Sequence, residues 1–491
     1  MGEPMSIGRV ITSFARSTPD LPAITDVGSS EVLTWARLDR ETNRLARAYA
    51  EHGVGQDDVV AIVLPNSAAF YLACVAVWKL GATPMPLSPK QPAIERRRVL
   101  ALAEPVLLIG VDDAVDGPPG LPVGFCPADG LHDGPLPDRS PAHWKILTSG
   151  GSTGSPKLIV SRESSLFDPD VPAVDYVPAR GVHLVCGPLY HNAAFIYSMR
   201  GLFCGNHLVV LPRFDPERAL ALVAEHRVTW TQLVPTMMGR IWRLPEQTRA
   251  AADLSTLDSV LHVGGPCAPW LKQAWIDWLG PDRIIEVYAG TEGQGVTFVN
   301  GREWLAHRGS VGRAVRGSRF QVQDDEGRVV PPGVIGEVFL IPAGGPGSTY
   351  HYVGAEPRSR DGWESLGDLG YYDEDGYLYL VDRSTDCVVT GGANVYPAEV
   401  EGALEAHPGV RSCAVIGLPD EDLGQRVVAI VEVEAGVSEA DLDAHLAELL
   451  TPYKRPRAYE LTDQPLRDEA GKVRRSALRR ARIDTSTPVT P

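Results

Sequence analysis

Residues Leu147-Thr148-Ser149-Gly150-Gly151-Ser152-Thr153-Gly154-Ser155-Pro156-Lys157 form a run of small and hydroxyl side chains that closes on Pro and Lys. Glycine lets neighbouring backbone N–H groups turn toward an anion, Ser and Thr add hydroxyl donors, and Lys adds charge, so the run has the chemistry of a phosphate cradle. A flexible linker is the plain alternative, but linkers do not usually follow an apolar segment such as Lys145-Ile146-Leu147 and stop at a fixed Pro-Lys. A Walker loop fails, because Ser155-Pro156 separates Gly154 from Lys157 and Leu158 follows the lysine.

Further along, Tyr288-Ala289-Gly290-Thr291-Glu292 sets a hydroxyl beside a carboxylate, which suits a hard cation bridging phosphate oxygens. Upstream, the bare backbone of Val263-Gly264-Gly265-Pro266 permits close approach of a ligand. In Ser365-Leu366-Gly367-Asp368 an ionised Asp can accept hydrogen bonds from a pair of hydroxyls. Near the end, Lys472 lies in the basic stretch over 464–475. Each segment alone reads as a turn; the case rests on their order.

In that order the segments resemble the adenylate-forming (ANL) superfamily, which includes acyl-CoA synthetases, peptide-synthetase adenylation domains and beetle luciferases. The resemblance implies ATP-dependent activation of a carboxylic acid as acyl-AMP with release of pyrophosphate, then thioesterification to coenzyme A. It implies that Ser149, Gly150, Gly151, Ser152, Thr153, Gly154 and Lys157 hold the ATP phosphates. Gly264, Gly265, Pro266 and Tyr288 would surround adenine, Ala289 and Gly290 would belong to the ATP site, Thr291 would meet the α-phosphate, and Glu292 would hold Mg²⁺. Asp368 and Arg383 would take the ribose, and Lys472 would bridge the substrate carboxylate and the α-phosphate.

The run Pro188-Leu189-Tyr190-His191-Asn192-Ala193-Ala194-Phe195 resembles the family's pocket wall, in which His191 gates the acyl group or contacts the carboxylate; a hydrogen-bonded histidine at a helix start fits as well. Small residues at Ala193, Ala194, Ala289 and Gly290, beside Asn192, are expected to leave volume for a bulky, mainly apolar acid. Gly391 and Gly392 would line a passage for the pantetheine arm. Thr385 stands where the family's hinge usually has Asp or Lys. That departure keeps open a chain that only adenylates, with a partner enzyme or carrier protein as acyl acceptor. A luciferase-like oxidase shares these motifs and also stays open, whereas a degenerate nucleotide-binding regulator would be expected to lack Glu292, Asp368 or Lys472.

Positioning such groups needs layered α/β structure. A strand over 59–64, a helix over 67–80 and the turn Gly81-Ala82-Thr83-Pro84 make half of a βαβ unit, and similar alternation recurs to about residue 263. Past residue 370 comes an acidic, glycine-bearing hairpin, then an α+β pattern with Pro397 opening one helix and Ser438 capping another. A large N-terminal domain of layered sheets and helices over 1–383 and a small mobile α+β C-terminal domain over 384–491 are therefore expected.

The chain of 491 residues exceeds what one core usually organises. A formal charge of −16 argues against nucleic acid and anionic membrane surfaces as partners. The apolar run 68–78 is too short to cross a bilayer and reads as a buried helix, so no stable membrane insertion is expected. Seven scattered cysteines without a Cys-x-x-Cys pair read as reduced thiols of a cytoplasmic protein. A homodimer remains open.

Overall fold

The computed structural model of the protein describes residues 3–112, 117–148, 156–172, 174, 176–469 and 471–486. The near-continuous apolar runs of the first part become parallel strands covered on both faces, as such runs require. Val182–Val185 pairs in parallel with His207–Val210 on one side and Trp230–Leu233 on the other, and Ser259–His262 and Ile284–Ala289 extend the sheet. Val296–Asn300 and Arg313–Ala314 add antiparallel at that edge; Pro22–Asp26 and Glu31–Thr34 close the opposite one.

Helices cover this sheet because each connection begins with a good start signal. Asp215 accepts the Arg218 N–H at 2.8 Å and Pro216 opens Pro216–Glu225, while Pro235–Trp242 and Pro269–Leu279 also start on proline. One face packs Phe195, Leu202 and Phe203 of the helix Asn192–Phe203 with Trp78 and Trp144; the other packs Leu222, Met238, Trp275 and Ile276. With the parallel strands running the same way, their loops gather along one carboxyl edge, where open α/β sheets bind ligands.

A smaller sheet, ordered Thr83–Pro86, Val59–Ile62, Leu107–Ile109, Gly120–Leu121, is parallel throughout. Its helix Ala68–Lys79 is buried along nearly its whole length, with Ser67 and Leu80 as its caps. Among the described residues no helix is long and apolar enough to cross a membrane.

The strand Trp363–Tyr372 pairs antiparallel with Gly336–Ile341 and, through a hairpin, with Leu378–Arg383. Asp373 makes that hairpin turn by accepting the N–H groups of Asp375 at 3.1 Å and Tyr377 at 2.9 Å. The register sets Asp368 directly opposite Arg383.

After the turn 384–386 the chain builds an α+β unit. Val410–Asp420 and Gly424–Val433 pair antiparallel and Ala458–Thr462 joins in parallel. Pro397–Glu405 and Glu439–Leu449 pack on this sheet around Val400, Leu404, Val415, Val431, Leu442 and Leu446, the second helix starting with a Ser438/Asp441 capping box. The architecture is thus a large α/β part with a smaller α+β part, and all seven cysteines are free.

Candidate active site

The carboxyl edge of the large sheet carries the chemistry. Asn66 fixes the loop that follows Val182–Val185: its Nδ2 donates to the carbonyls of Gly187 at 2.8 Å and Leu211 at 3.2 Å, and its Oδ1 accepts the Leu189 N–H at 2.9 Å. That loop delivers His191, half-buried at the N-cap of Asn192–Phe203. Burial, aided by the Lys472 ammonium, lowers the His191 pKa to about 4, so its imidazole is neutral at pH 7. Asn192 Oδ1 accepts a hydrogen bond from Lys145 Nζ at 3.0 Å, and burial lowers the pKa of that lysine to about 8.

The small residues of this region serve packing. A Cβ on Gly290 would come within 2.9 Å of Glu292 Oε2 and Leu366 Cδ1 and 3.0 Å of Gln294 Oε1, and one on Gly187 would lie 2.9 Å from the Ala194 Cβ. Ala193 and Ala289 pack with Tyr197, Val263 and Val287. At Gly290 the missing side chain permits the close approach of Glu292, Leu366 and Gln294.

Glu292 is only 7% exposed. Its Oε1 accepts the Tyr352 hydroxyl at 2.6 Å and lies 3.7 Å from Lys157 Nζ, which in turn sits 3.8 Å from the centre of the Tyr352 ring. Burial lowers the Lys157 pKa against the pull of Glu292, and burial together with the Glu292 charge raises that of Tyr352, keeping its hydroxyl a donor. Thr291 is half-buried beside Glu292.

Asp368 Oδ2 accepts the Tyr288 hydroxyl at 2.7 Å, and its Oδ1 lies 3.3 Å from Arg383 Nε. A carboxylate has about four acceptor sites, so these two contacts leave capacity for ribose hydroxyls. Gly264, Gly265 and Pro266 are exposed, with nothing within 4 Å of a Cβ on Gly265, an open flank of the kind a flat base could use.

Lys472 arrives from the smaller part. Asp468 shapes its turn, accepting the Lys472 N–H on Oδ1 at 2.9 Å and donating its own N–H to the Lys472 carbonyl at 3.0 Å. Gly471, at φ +76°, forms the tip and abuts Thr236 at the start of Pro235–Trp242. The Lys472 side chain is accessible to solvent, yet surrounding protein lowers its pKa by desolvation, and it feels the charges of Asp468, Arg383 and Glu292. The turn is held by Lys90 paired with Glu469 and by Arg474 at 3.7 Å from Glu95.

Ser149, Gly150, Gly151, Ser152, Thr153 and Gly154 lie outside the described residues. Two other sets of expected residues stand elsewhere. Gly391 and Gly392 form an exposed turn held by a hydrogen bond from Gly391 N–H to the Leu423 carbonyl at 2.9 Å. Thr385 is exposed in the turn between the two parts. Asn66, Tyr352 and Thr236 were not anticipated; only the turn-like Pro65-Asn66 offered any local signal.

A mostly parallel sheet with Glu292 at its carboxyl edge, Asp368 reaching Tyr288 from the neighbouring antiparallel sheet, and a lysine approaching from a smaller α+β part define an adenylate-forming enzyme. The chain belongs to the AMP-binding enzyme family, and is of the acid-CoA ligase type: the family pattern matches residues 11–352, and that of the AMP-binding enzyme C-terminal domain matches 399–472. A feruloyl-CoA synthase of Amycolatopsis sp is 32% identical over 506 residues, covering 95% of this chain and 97% of that protein. The fatty acid–[acyl-carrier-protein] ligase ScoC of Streptomyces coeruleorubidus is 30% identical over 500 residues, covering 95% of each. Among solved structures, ATP-bound MatB from Rhodopseudomonas palustris superimposes with a TM-score of 0.80 at 25% identity, covering 98% of this chain and 100% of that one. The family resemblance and the fold class expected from sequence both hold.

Proposed function

We propose that the protein joins a hydrophobic carboxylic acid to AMP and then passes the acyl group to coenzyme A. A carboxylate oxygen attacks the α-phosphorus of ATP, the bond to the bridging oxygen breaks, and pyrophosphate leaves. The coenzyme A thiolate then attacks the acyl carbonyl and AMP departs. The observation that carries this reading is the seating of the Lys472 turn on the large part, with Glu469 paired to Lys90 and Gly471 beside Thr236. It brings the ammonium within electrostatic reach of Glu292 and Arg383, where it can neutralise charge on the carboxylate and α-phosphate.

Lys157 and the loop over 149–154 take the phosphates, Asp368 and Arg383 the ribose, and Tyr288 with Gly264, Gly265 and Pro266 the base. His191, neutral at pH 7, donates to the acid carboxylate. The buried Glu292 carboxylate, with Lys157 3.7 Å from its Oε1, suits a hard cation that also binds phosphate. Glu292 would hold Mg²⁺, which would supply charge neutralisation on the leaving phosphates.

The domains are taken as 1–383 and 384–491, and the smaller one turns about Thr385 between half-reactions, withdrawing Lys472 and presenting Gly391 and Gly392 to the pantetheine arm. The acid is read as hydrophobic because relatives at similar identity are named for ferulate and fatty acids. The second of these names an acyl-carrier protein as acceptor, which favours a second reading in which a carrier replaces coenzyme A. An acid library scored for AMP release with and without coenzyme A tests both. Acyl-CoA formed from aromatic or long-chain acids is the expected result; turnover of acetate alone overturns the acid assignment, and AMP release that ignores coenzyme A favours the carrier.

A further inference from the structure

Tyr352 stands on the strand Tyr350–Val353, whose antiparallel register with Leu158–Ser161 sets it opposite Ile159, just past Lys157. Its two ends make different contacts. The hydroxyl donates to Glu292 Oε1 at 2.6 Å, while the ring face lies 3.8 Å from the Lys157 ammonium. Lys157 is in turn 3.7 Å from the same Glu292 oxygen, so one tyrosine touches both charged groups of the cluster. The ring is braced edge-on by Tyr350 at 4.8 Å, whose own hydroxyl donates to buried Glu364 at 2.7 Å.

The geometry points to Tyr352 as a positioning residue that sets the Lys157 ammonium against the Glu292 carboxylate and fixes the plane of that carboxylate toward the nucleotide phosphates. This rests on the reading of Glu292 and Lys157 given above. With Oε1 engaged by the hydroxyl, Oε2 is the oxygen on the side where a Gly290 Cβ would lie. The ring attraction adds to the pull of Glu292 on the lysine without taking up a second oxygen acceptor, and an ammonium with three donors can still reach phosphate oxygens. Phenylalanine at this position would keep the ring and lose only the hydrogen bond; leucine would lose both.

Calorimetric binding of ATP to the full chain, in EDTA and across a Mg²⁺ titration, separates these contributions. For Tyr352→Phe, metal-free ATP should bind within about twofold of wild type, while the Mg²⁺ concentration giving half-maximal tightening rises about tenfold, the scale of a lost hydrogen bond to a charged group. For Tyr352→Leu, metal-free ATP should also weaken, about three- to tenfold. Both variants weakening the metal-free and metal-bound forms equally would mark a merely structural tyrosine and overturn the proposal. So would a wild-type Mg²⁺ response in Tyr352→Phe when Glu292→Gln has lost it. Should Glu292→Gln itself keep the wild-type response, the reading of Glu292 fails first, and the proposal falls with it.

Discussion

Lys145 is 4% exposed, and its pKa is lowered to about 8 by desolvation. Between pH 8 and 10.5 the unfolded chain still binds the proton that the folded chain has released, so this residue makes wild type gain stability as pH rises, and its cost is greatest near neutrality. Lys145→Met should therefore be more stable than wild type at pH 7 by about 1–3 kcal/mol, an advantage that shrinks toward pH 10. Urea denaturation of both proteins at several pH values checks this; a variant that is less stable, with a gap independent of pH, contradicts it. At this scale the sequence revealed charged groups set among glycine and hydroxyl residues, such as Glu292 and Asp368, because those patterns are local. It could not reveal Asn66, which grips a carbonyl 121 positions away, or Tyr352, which meets Glu292 across 60 positions. Nor could it tell that Gly290 is small because Glu292, Leu366 and Gln294 crowd it.

The turn that carries Asp468 and Lys472 is the element to which the proposed function assigns adenylation. Its tip, Gly471, has φ +76°, and a Cβ there would collide with the Thr236 side chain, so a methyl group meets both backbone strain and a wall. Gly471→Ala should slow acyl-AMP formation tenfold or more, by about 1.4 kcal/mol at least, while leaving coenzyme A acylation from supplied acyl-AMP within about twofold. Measuring the two half-reactions separately decides it; an equal loss in both would mean general damage. Most elements were legible, since apolar runs and caps such as Ser438 and Pro397 mark them. Their ends were not. The apolar run over 413–416 is only the middle of the strand Val410–Asp420, because pairing with Gly424–Val433 continues through Ser412 and Asp420, which a hydrophobic pattern does not register.

Across the whole molecule, the two parts meet around the lysine turn through the exposed Lys90–Glu469 and Arg474–Glu95 pairs, with a hydrogen bond from Arg243 to the Val410 carbonyl at 2.9 Å. Exposed ion pairs each contribute at most about 1 kcal/mol, so a second orientation is within reach of ligand binding. Small-angle scattering with ATP plus an unreactive acid analogue should differ from that with a non-hydrolysable acyl-adenylate plus coenzyme A; superimposable profiles would contradict domain rotation. The two-part plan was readable from the change of texture near residue 370, whereas the relative placement of the parts was not, because it depends on surface pairs between residues hundreds of positions apart. The account stands most directly on Lys472. In Lys472→Ala, acid-dependent exchange of pyrophosphate into ATP should fall about 10²- to 10³-fold, with acyl transfer from supplied acyl-AMP to coenzyme A nearly unchanged; exchange at the wild-type rate would contradict it.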